Sequence, residues 1–274
     1  MPSASHLKLG KRISMLLKSP FGFAKTCAAC SAAVDGPVWL AYWDKSEPVE
    51  LQHFFTDIIK RPELLDNIEY DVYSSSNANE YLNKLIGLTK HCPYTTIIND
   101  SVTMMTASAV NWSIGFRSAK GAKRDPLNAN AQLTIPEMDE YKVETSFVTQ
   151  ALDICRTLPC NVIWTCHPLS SLDFSGGGTT GQAMKVSKVN HIVSYGQKVG
   201  AIVPGQFTEI YHFSIENTWN AKLGKGEQKR LVSPRGIGDD FAKSGIGLTE
   251  SFDITDKLFW SVWKDEVSKL HKGE

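Results

Sequence analysis

The alternation of apolar and polar positions along the chain predicts short buried strands separated by helices. Five runs rich in apolar and β-branched residues predict strands at 12–17, 38–43, 68–73, 94–99 and 161–166. Longer segments with helical periodicity predict helices at 25–34, 51–59, 77–88 and 136–158. This order of elements is typical of an α/β domain with a largely parallel sheet.

The last third of the chain has a different pattern. Strands, interpreted as antiparallel, are predicted at 199–203, 207–215 and 229–232, followed by a helix at 256–270. Two further stretches, 107–136 and 168–190, lack clear periodicity and are predicted to be loops, and the first of them is too long to be idle in a compact domain. We therefore expect a tail at 1–10, one domain at 11–253 and a C-terminal helix at 254–274.

Composition narrows the class of protein. Of the 274 residues, 42% are hydrophobic and 21% charged, which excludes a disordered chain. Lys and Arg total 29, as do Asp and Glu, so the net charge gives no sign of nucleic-acid binding. A neutral total does not exclude a local basic groove. The absence of a long apolar run, of a secretory signal and of a disulfide pattern among six cysteines predicts a cytoplasmic protein without a membrane partner.

The segment Ser19–Thr26 has the features of a phosphate-binding loop. It follows a strand, opens a helix and ends in Lys-Thr, which supply a cation for the outer phosphates and a hydroxyl for Mg²⁺. It departs from the pattern G-x-x-x-x-G-K-[ST] because Ser19 and Ala24 replace the two glycines. On this octapeptide alone, a phosphate loop and an ordinary Ala-Lys-Thr helix start are equally good interpretations.

A carboxylate at the end of another buried strand strengthens the first interpretation. Asp100 directly follows the strand at 94–99, and we expect that strand to lie beside the first one. Ligands of α/β sheets bind at the carboxyl ends of strands, where Asp100 can hold Mg²⁺ directly or through water. The alternative is a turn or helix N-cap, which is common for Asp-Ser.

Together these motifs resemble RecA-like ATPases. The order strand, Lys-Thr, helix, Ile-Ile-Asn-Asp-Ser-Val-Thr, long helix and Val-Ile-Trp-Thr-Cys-His is most similar to the phage-encoded AAA/RecA-like family that includes Sak-type single-strand annealing proteins. The resemblance covers most of 11–253. It implies a RecA-like P-loop NTPase core, with a mostly parallel central sheet, flanking helices and antiparallel C-terminal strands.

The same resemblance implies an activity and partners. The expected function is Mg²⁺-dependent ATP hydrolysis coupled to ordering of loops on single-stranded DNA in phage recombination. The expected assembly is a homo-oligomer, either a ring or a filament, with a phage single-strand binding protein as a further partner. Two other functions stay open: a nucleotide-binding adaptor subunit with weak or no hydrolysis, and a helicase-like motor that translocates on DNA.

The resemblance also assigns roles to residues. Lys25 would contact the β- and γ-phosphates, Thr26 would bind Mg²⁺ and Asp100 would hold it through water. Asp44 or Glu47, with Glu47 preferred, would activate water, and His167 would sense the γ-phosphate. The nucleotide-binding segment implied is Ser19, Pro20, Phe21, Gly22, Phe23, Ala24, Lys25, Thr26 and Cys27.

By the resemblance, the two irregular stretches correspond in position to the DNA-facing loops of RecA-like proteins. The first combines cations with aromatic residues and has no acidic residue from 107 to 124, and the second contains Gly176–Gly178. Cations expected to contact DNA are Arg117, Lys120, Lys123, Arg124, Lys185 and Lys188. Arg235 and Lys243 would reach the nucleotide of the next subunit. For each of these cations, a solvated surface charge is the alternative.

Overall fold

The computed structural model describes residues 12–44, 46–118, 136–175, 185–194, 197–220, 225–236 and 241–272. The strands are β1 (Ser14–Lys18), β2 (Val38–Tyr42), β3 (Ile68–Val72), β4 (Thr96–Asp100), β5 (Asn161–Cys166), β6 (Pro168–Ser175), β7 (Lys185–Ile192), β8 (Glu209–Asn220), β9 (Lys225–Ser233), β10 (Lys243–Ser244) and β11 (Phe252–Asp253). The α-helices are α1 (Lys25–Cys30), α2 (Glu50–His53), α3 (Ala78–Lys90), α4 (Val102–Ser118), α5 (Met138–Thr157), α6 (Gln197–Ile202) and α7 (Phe259–Lys272).

One nine-stranded sheet organises the described chain. Its strand order is β11-β9-β8-β1-β5-β4-β2-β3, and β10 pairs with β8. The six strands from β8 to β3 are parallel to one another, whereas β9 and β10 pair antiparallel with β8 and β11 pairs antiparallel with β9. The predicted architecture is confirmed: a largely parallel central sheet with flanking helices and antiparallel C-terminal strands.

Burial on both faces explains why the central strands are apolar throughout. All five residues of β2 and of β4 are buried, as expected for parallel strands covered by helices on each side. Successive residues of β1 alternate between two cores: Leu16 packs with Trp39 and Trp164, whereas Met15 and Leu17 pack in the core on the opposite face. The sheet therefore separates two apolar layers.

The position of β4 corrects one expectation. The sequence predicted that the strand ending at Asp100 lies beside β1, but β5 lies between them. Lys18 of β1 pairs with Cys166 of β5, and Asn99 of β4 pairs with Trp164. The parallel register still brings the carboxyl ends of all three strands to one edge of the sheet.

Three predictions of local structure were wrong. The strand predicted at 199–203 is helical over α6 and the short 3₁₀ turn that follows, because Val199 and Val203 lie four residues apart and bury the same face. The loop predicted at 107–136 begins as α4, whose Ala109 and Val110 are buried. The loop predicted at 168–190 contains β6 and β7, which pair antiparallel with each other.

The C-terminal helix packs into the domain core. Phe259, Trp260 and Trp263 are buried, and the Trp260 backbone N–H donates to Ser31 Oγ at 2.9 Å. The Trp260 indole Nε1–H donates to Asp35 Oδ2 at 2.7 Å. Ser31 and Asp35 belong to the 3₁₀ turn that continues α1, so α7 is tied to the helix behind the candidate phosphate loop. None of the helices in the described part of the chain is long and apolar enough to cross a membrane.

We expect Trp260→Ala to lower the free energy of unfolding by about 3–5 kcal/mol, because it removes a buried indole and leaves a cavity. Lys269→Ala, on the exposed side of the same helix, should change stability by less than about 0.5 kcal/mol. Urea denaturation of both variants measures the difference. Equal stabilities would contradict the described packing of α7.

Candidate functional site

The loop between β1 and α1 has the backbone of a tight, left-handed turn. Gly22 has φ of 81°, and Ala24, directly before α1, has φ of 59°. Glycine adopts such conformations freely, whereas an alanine there is strained by its Cβ. Ala24 stands where the phosphate-loop pattern has its second glycine, so the substitution keeps the left-handed conformation at an energetic cost.

Lys25 is buried beneath this loop. Its ammonium donates to Ser19 O at 2.8 Å, Ser19 Oγ at 3.0 Å and Pro20 O at 3.0 Å. Burial lowers the pKa of Lys25 to about 8, although the nearby charge of Asp100 opposes the shift. The cation is thus held by uncharged acceptors, which a phosphate oxygen can replace.

Asp100 and Thr26 meet at the same edge of the sheet. The Thr26 hydroxyl donates to Asp100 Oδ2, and the Thr165 hydroxyl of β5 donates to Oδ1. Burial raises the pKa of Asp100, while these two hydrogen bonds and the charge of Lys25 favour its ionised form. The intervening strand β5 therefore supplies a residue that orients the carboxylate.

The oxygen atoms of Thr26 and Asp100 suit Mg²⁺. This ion prefers hard oxygen ligands and usually keeps several waters, so one hydroxyl and one carboxylate are a sufficient protein contribution. Within the described residues, no group of three or more His, Cys, Asp or Glu side chains converges on a point, so a closed cage for a softer metal is not found there.

His167 closes one side of the loop. Its Nδ1 lies 3.2 Å from both the Lys25 ammonium and the Ser19 carbonyl oxygen, and its ring stacks on Phe21 with centroids 3.7 Å apart. Burial and the charge of Lys25 lower the pKa of His167 to about 4. The imidazole is therefore neutral at pH 7 and can donate or accept a hydrogen bond next to the loop.

A cavity of about 650 Å³ joins these groups, a volume within the usual range of small-molecule sites. Its wall includes polar side chains, among them Lys25, Thr26 and Asp100. It also includes larger apolar and aromatic side chains, among them Phe23, Tyr42, Phe54 and Ile58. A wall of both kinds suits a ligand that has a charged tail and a flat apolar ring.

The cavity distinguishes between the carboxylates proposed to activate water. Asp44 lines it, whereas Glu47 is exposed and is not part of its wall, so the geometry does not favour the predicted choice of Glu47. Glu50, which the sequence analysis missed, also lines the cavity and accepts a hydrogen bond from Tyr42 Oη at 3.3 Å. Burial raises the pKa of Glu50.

Other wall residues were also missed. His53 at the end of α2 and Arg230 of β9 both line the cavity. No signal in the sequence could have identified them, because neither belongs to a motif. Each reaches the cavity only through the pairing and packing of distant segments.

The remaining predicted residues differ in their position relative to the cavity. Ser19 is buried under the loop, and Cys27 lines the cavity. Arg235 and Lys243 are exposed and are not in the cavity wall. Arg117 lies near the end of α4, and Lys185 and Lys188 lie on β7. The remaining predicted DNA contacts, outside the described residues, are Lys120, Lys123 and Arg124.

Comparisons with known proteins were made by sequence and by structure. No family model matches the sequence, and no curated protein matches it. Among solved structures, the chain is similar to a KaiC-like protein from the hyperthermophilic archaeon Pyrococcus horikoshii OT3, with 12% identity and a TM-score of 0.45, over 88% of this chain and 84% of that chain. Likeness at this level carries no information about what this chain binds.

Ala24→Gly is expected to raise the free energy of unfolding by about 1 kcal/mol, because it removes the strain of a left-handed alanine at a modest entropic cost. Ala28→Gly, inside α1, is the matched control and should lower it by about 1 kcal/mol. Thermal or urea denaturation compares the two. A loss of stability in Ala24→Gly would show that the left-handed conformation is absent.

Proposed function

We propose that the chain binds a nucleoside triphosphate, ATP, with Mg²⁺ in this cavity and hydrolyses it, as a RecA-like ATPase. The observation that carries the proposal is the hydrogen bond from the Thr26 hydroxyl to the Asp100 carboxylate. The residue before Thr26 is Lys25, whose ammonium is buried. A cation, a hydroxyl and a carboxylate at the carboxyl edge of a parallel sheet are the groups that phosphoryl transfer requires.

Each group has a separate task in this proposal. Lys25 exchanges the carbonyl oxygens of Ser19 and Pro20 for phosphate oxygens. Thr26 and Asp100 hold Mg²⁺, which when bound neutralises phosphate charge. Asp44 or Glu50 orients the attacking water, and the raised pKa of Glu50 brings its basicity closer to that of an effective proton acceptor. The neutral imidazole of His167 offers a hydrogen bond beside Lys25.

The contacts of Lys25 also support a second function, in which nucleotide binds but is hydrolysed weakly or not at all. The three hydrogen bonds that hold Lys25 on the loop must be broken before its ammonium can bind phosphate, and they therefore oppose binding. A nucleotide-binding adaptor with weak or no hydrolysis is therefore the second candidate. Rates of ATP hydrolysis, measured together with ATP affinity, separate the two.

The affinity for Mg-ATP is expected to fall as the pH rises above about 8. Lys25 has a pKa of about 8 in the free protein, and a bound phosphate raises it, so binding above that pH requires uptake of a proton. The fall approaches tenfold per pH unit and is measured by titration calorimetry between pH 7 and 9.5. Lys25→Arg, which stays charged, should lose this dependence.

Lys25→Met tests the site itself. Loss of a charged hydrogen bond is expected to weaken ATP binding about ten- to a hundredfold at pH 7. Lys90→Met, on the exposed end of α3, is the control. If Lys25→Met binds ATP as well as the unaltered protein does, the assignment of the phosphate loop fails.

We further propose that the protein acts on single-stranded DNA in phage recombination, as a homo-oligomeric ring or filament in the host cytoplasm. What supports a DNA role is continuity along the chain: α4 begins two residues after Asp100 and leads into the basic segment, and β6 begins directly after His167. Arg235 and Lys243, both exposed, are proposed to reach a neighbouring subunit's nucleotide, and a phage single-strand binding protein is the proposed further partner.

The triple variant of Lys120, Lys123 and Arg124 to Gln should weaken ATP-dependent binding to oligo(dT). Each lost phosphate contact lowers the slope of log affinity against log salt concentration by about 0.7, so the slope should fall by about 2. Fluorescence anisotropy at several salt concentrations measures it. The control changes Lys90, Lys257 and Lys269 to Gln, and an equal effect in both variants would overturn the assignment.

A further inference from the structure

The β8–β9 ribbon extends past the end of β1 and places Arg230 beside the phosphate loop. Lys18, the last residue of β1, pairs with His212 of β8, which pairs with Ser233 of β9. Ile215 of β8 pairs with Arg230, three residues further along. At about 3.3 Å per residue, Arg230 lies about 10 Å beyond the end of β1, at the level of the loop that follows it.

The backbone of Arg230 is fixed from both sides. Besides its pairing with β8, its N–H donates to Thr255 Oγ1 at 2.9 Å, and its carbonyl accepts from the Ile254 N–H at 2.9 Å. The Cα of Arg230 therefore has a fixed position in the cavity wall, set by the sheet and not by a loop.

The guanidinium of Arg230 has no acceptor among the described residues. Its Nε is buried without a hydrogen-bond partner, and the side chain forms no ion pair in the described part of the chain. Glu50 lines the same cavity without bonding to it. A buried donor without an acceptor is energetically costly, and the charge of arginine persists at any physiological pH. This arrangement indicates an anionic ligand.

The sheet order indicates which part of that ligand reaches Arg230. Asp100 ends β4 and Asp44 follows β2, both on one side of β1, whereas Arg230 lies on β9, on the other side. The metal-binding end of a nucleotide belongs with the carboxylates and with Lys25. The cation on the opposite side therefore faces the phosphate nearest the ribose.

We propose that Arg230 binds the α-phosphate of the nucleotide, as a cation that the chain supplies to its own site. This inference rests on the proposed nucleotide binding and adds a residue that no motif identifies. It also separates two groups of cations: Arg230 acts within one chain, whereas the exposed Arg235 and Lys243 are free to act elsewhere.

The experiment measures ADP and Mg-ATP affinity by calorimetry for the unaltered protein, Arg230→Gln, Arg230→Lys, Lys25→Met and the control Lys229→Gln. Because ADP and ATP share the α-phosphate, Arg230→Gln should weaken both by the same factor, about ten- to a hundredfold. Arg230→Lys should recover part of the loss. Lys25→Met should weaken ATP more than ADP, and Lys229→Gln, at the exposed neighbouring position, should change neither.

Thermal denaturation without nucleotide separates binding from folding. Since the guanidinium lacks a partner, Arg230→Gln should keep the melting temperature of the unaltered protein. The inference is overturned if Arg230→Gln binds both nucleotides normally, if only ATP binding suffers, or if the variant melts at a lower temperature and Arg230→Lys recovers no affinity. If the unaltered protein binds neither nucleotide, the proposed function fails, and the inference fails with it.

Discussion

The carboxylate of Asp100 is buried at the edge of the sheet, and two threonine hydroxyls keep it in place. Thr26 approaches from the start of α1 and Thr165 from β5, so this one group links three separate segments of the chain. A buried carboxylate without such donors would be protonated or would destabilise the fold. The relative position of β1, β5 and β4 at their carboxyl ends is therefore coupled to the chemistry of the site.

The loop above this carboxylate has a strained backbone that hydrogen bonds hold in place. Ala24 holds a left-handed conformation, and Lys25 is bonded to the loop's own carbonyl oxygens. Strained backbone in a native protein persists only where the surroundings enforce it, and such positions are common at ligand-binding sites. Here the enforcing contacts come from the lysine that the proposed function assigns to phosphate.

Local pattern predicted the central elements well and the long-range ones poorly. The strands at β2 and β4 were predictable because burial on both faces requires uninterrupted apolar residues. The segment 199–203 was predicted as a strand because a short apolar run does not reveal its period. No local pattern encodes tertiary pairing. The position of β5 between β1 and β4 depends on that pairing, and so does the presence of Glu50 and Arg230 in the cavity wall.

The packing of α7 has a consequence for how the molecule can be observed. Trp260 is hydrogen-bonded to Ser31 and Asp35, in the turn that continues directly from α1. Any displacement of α1 when the loop before it opens must therefore alter the surroundings of that indole. The emission of a natural fluorophore near the carboxyl terminus thereby becomes an indicator of events at the opposite end of the sequence.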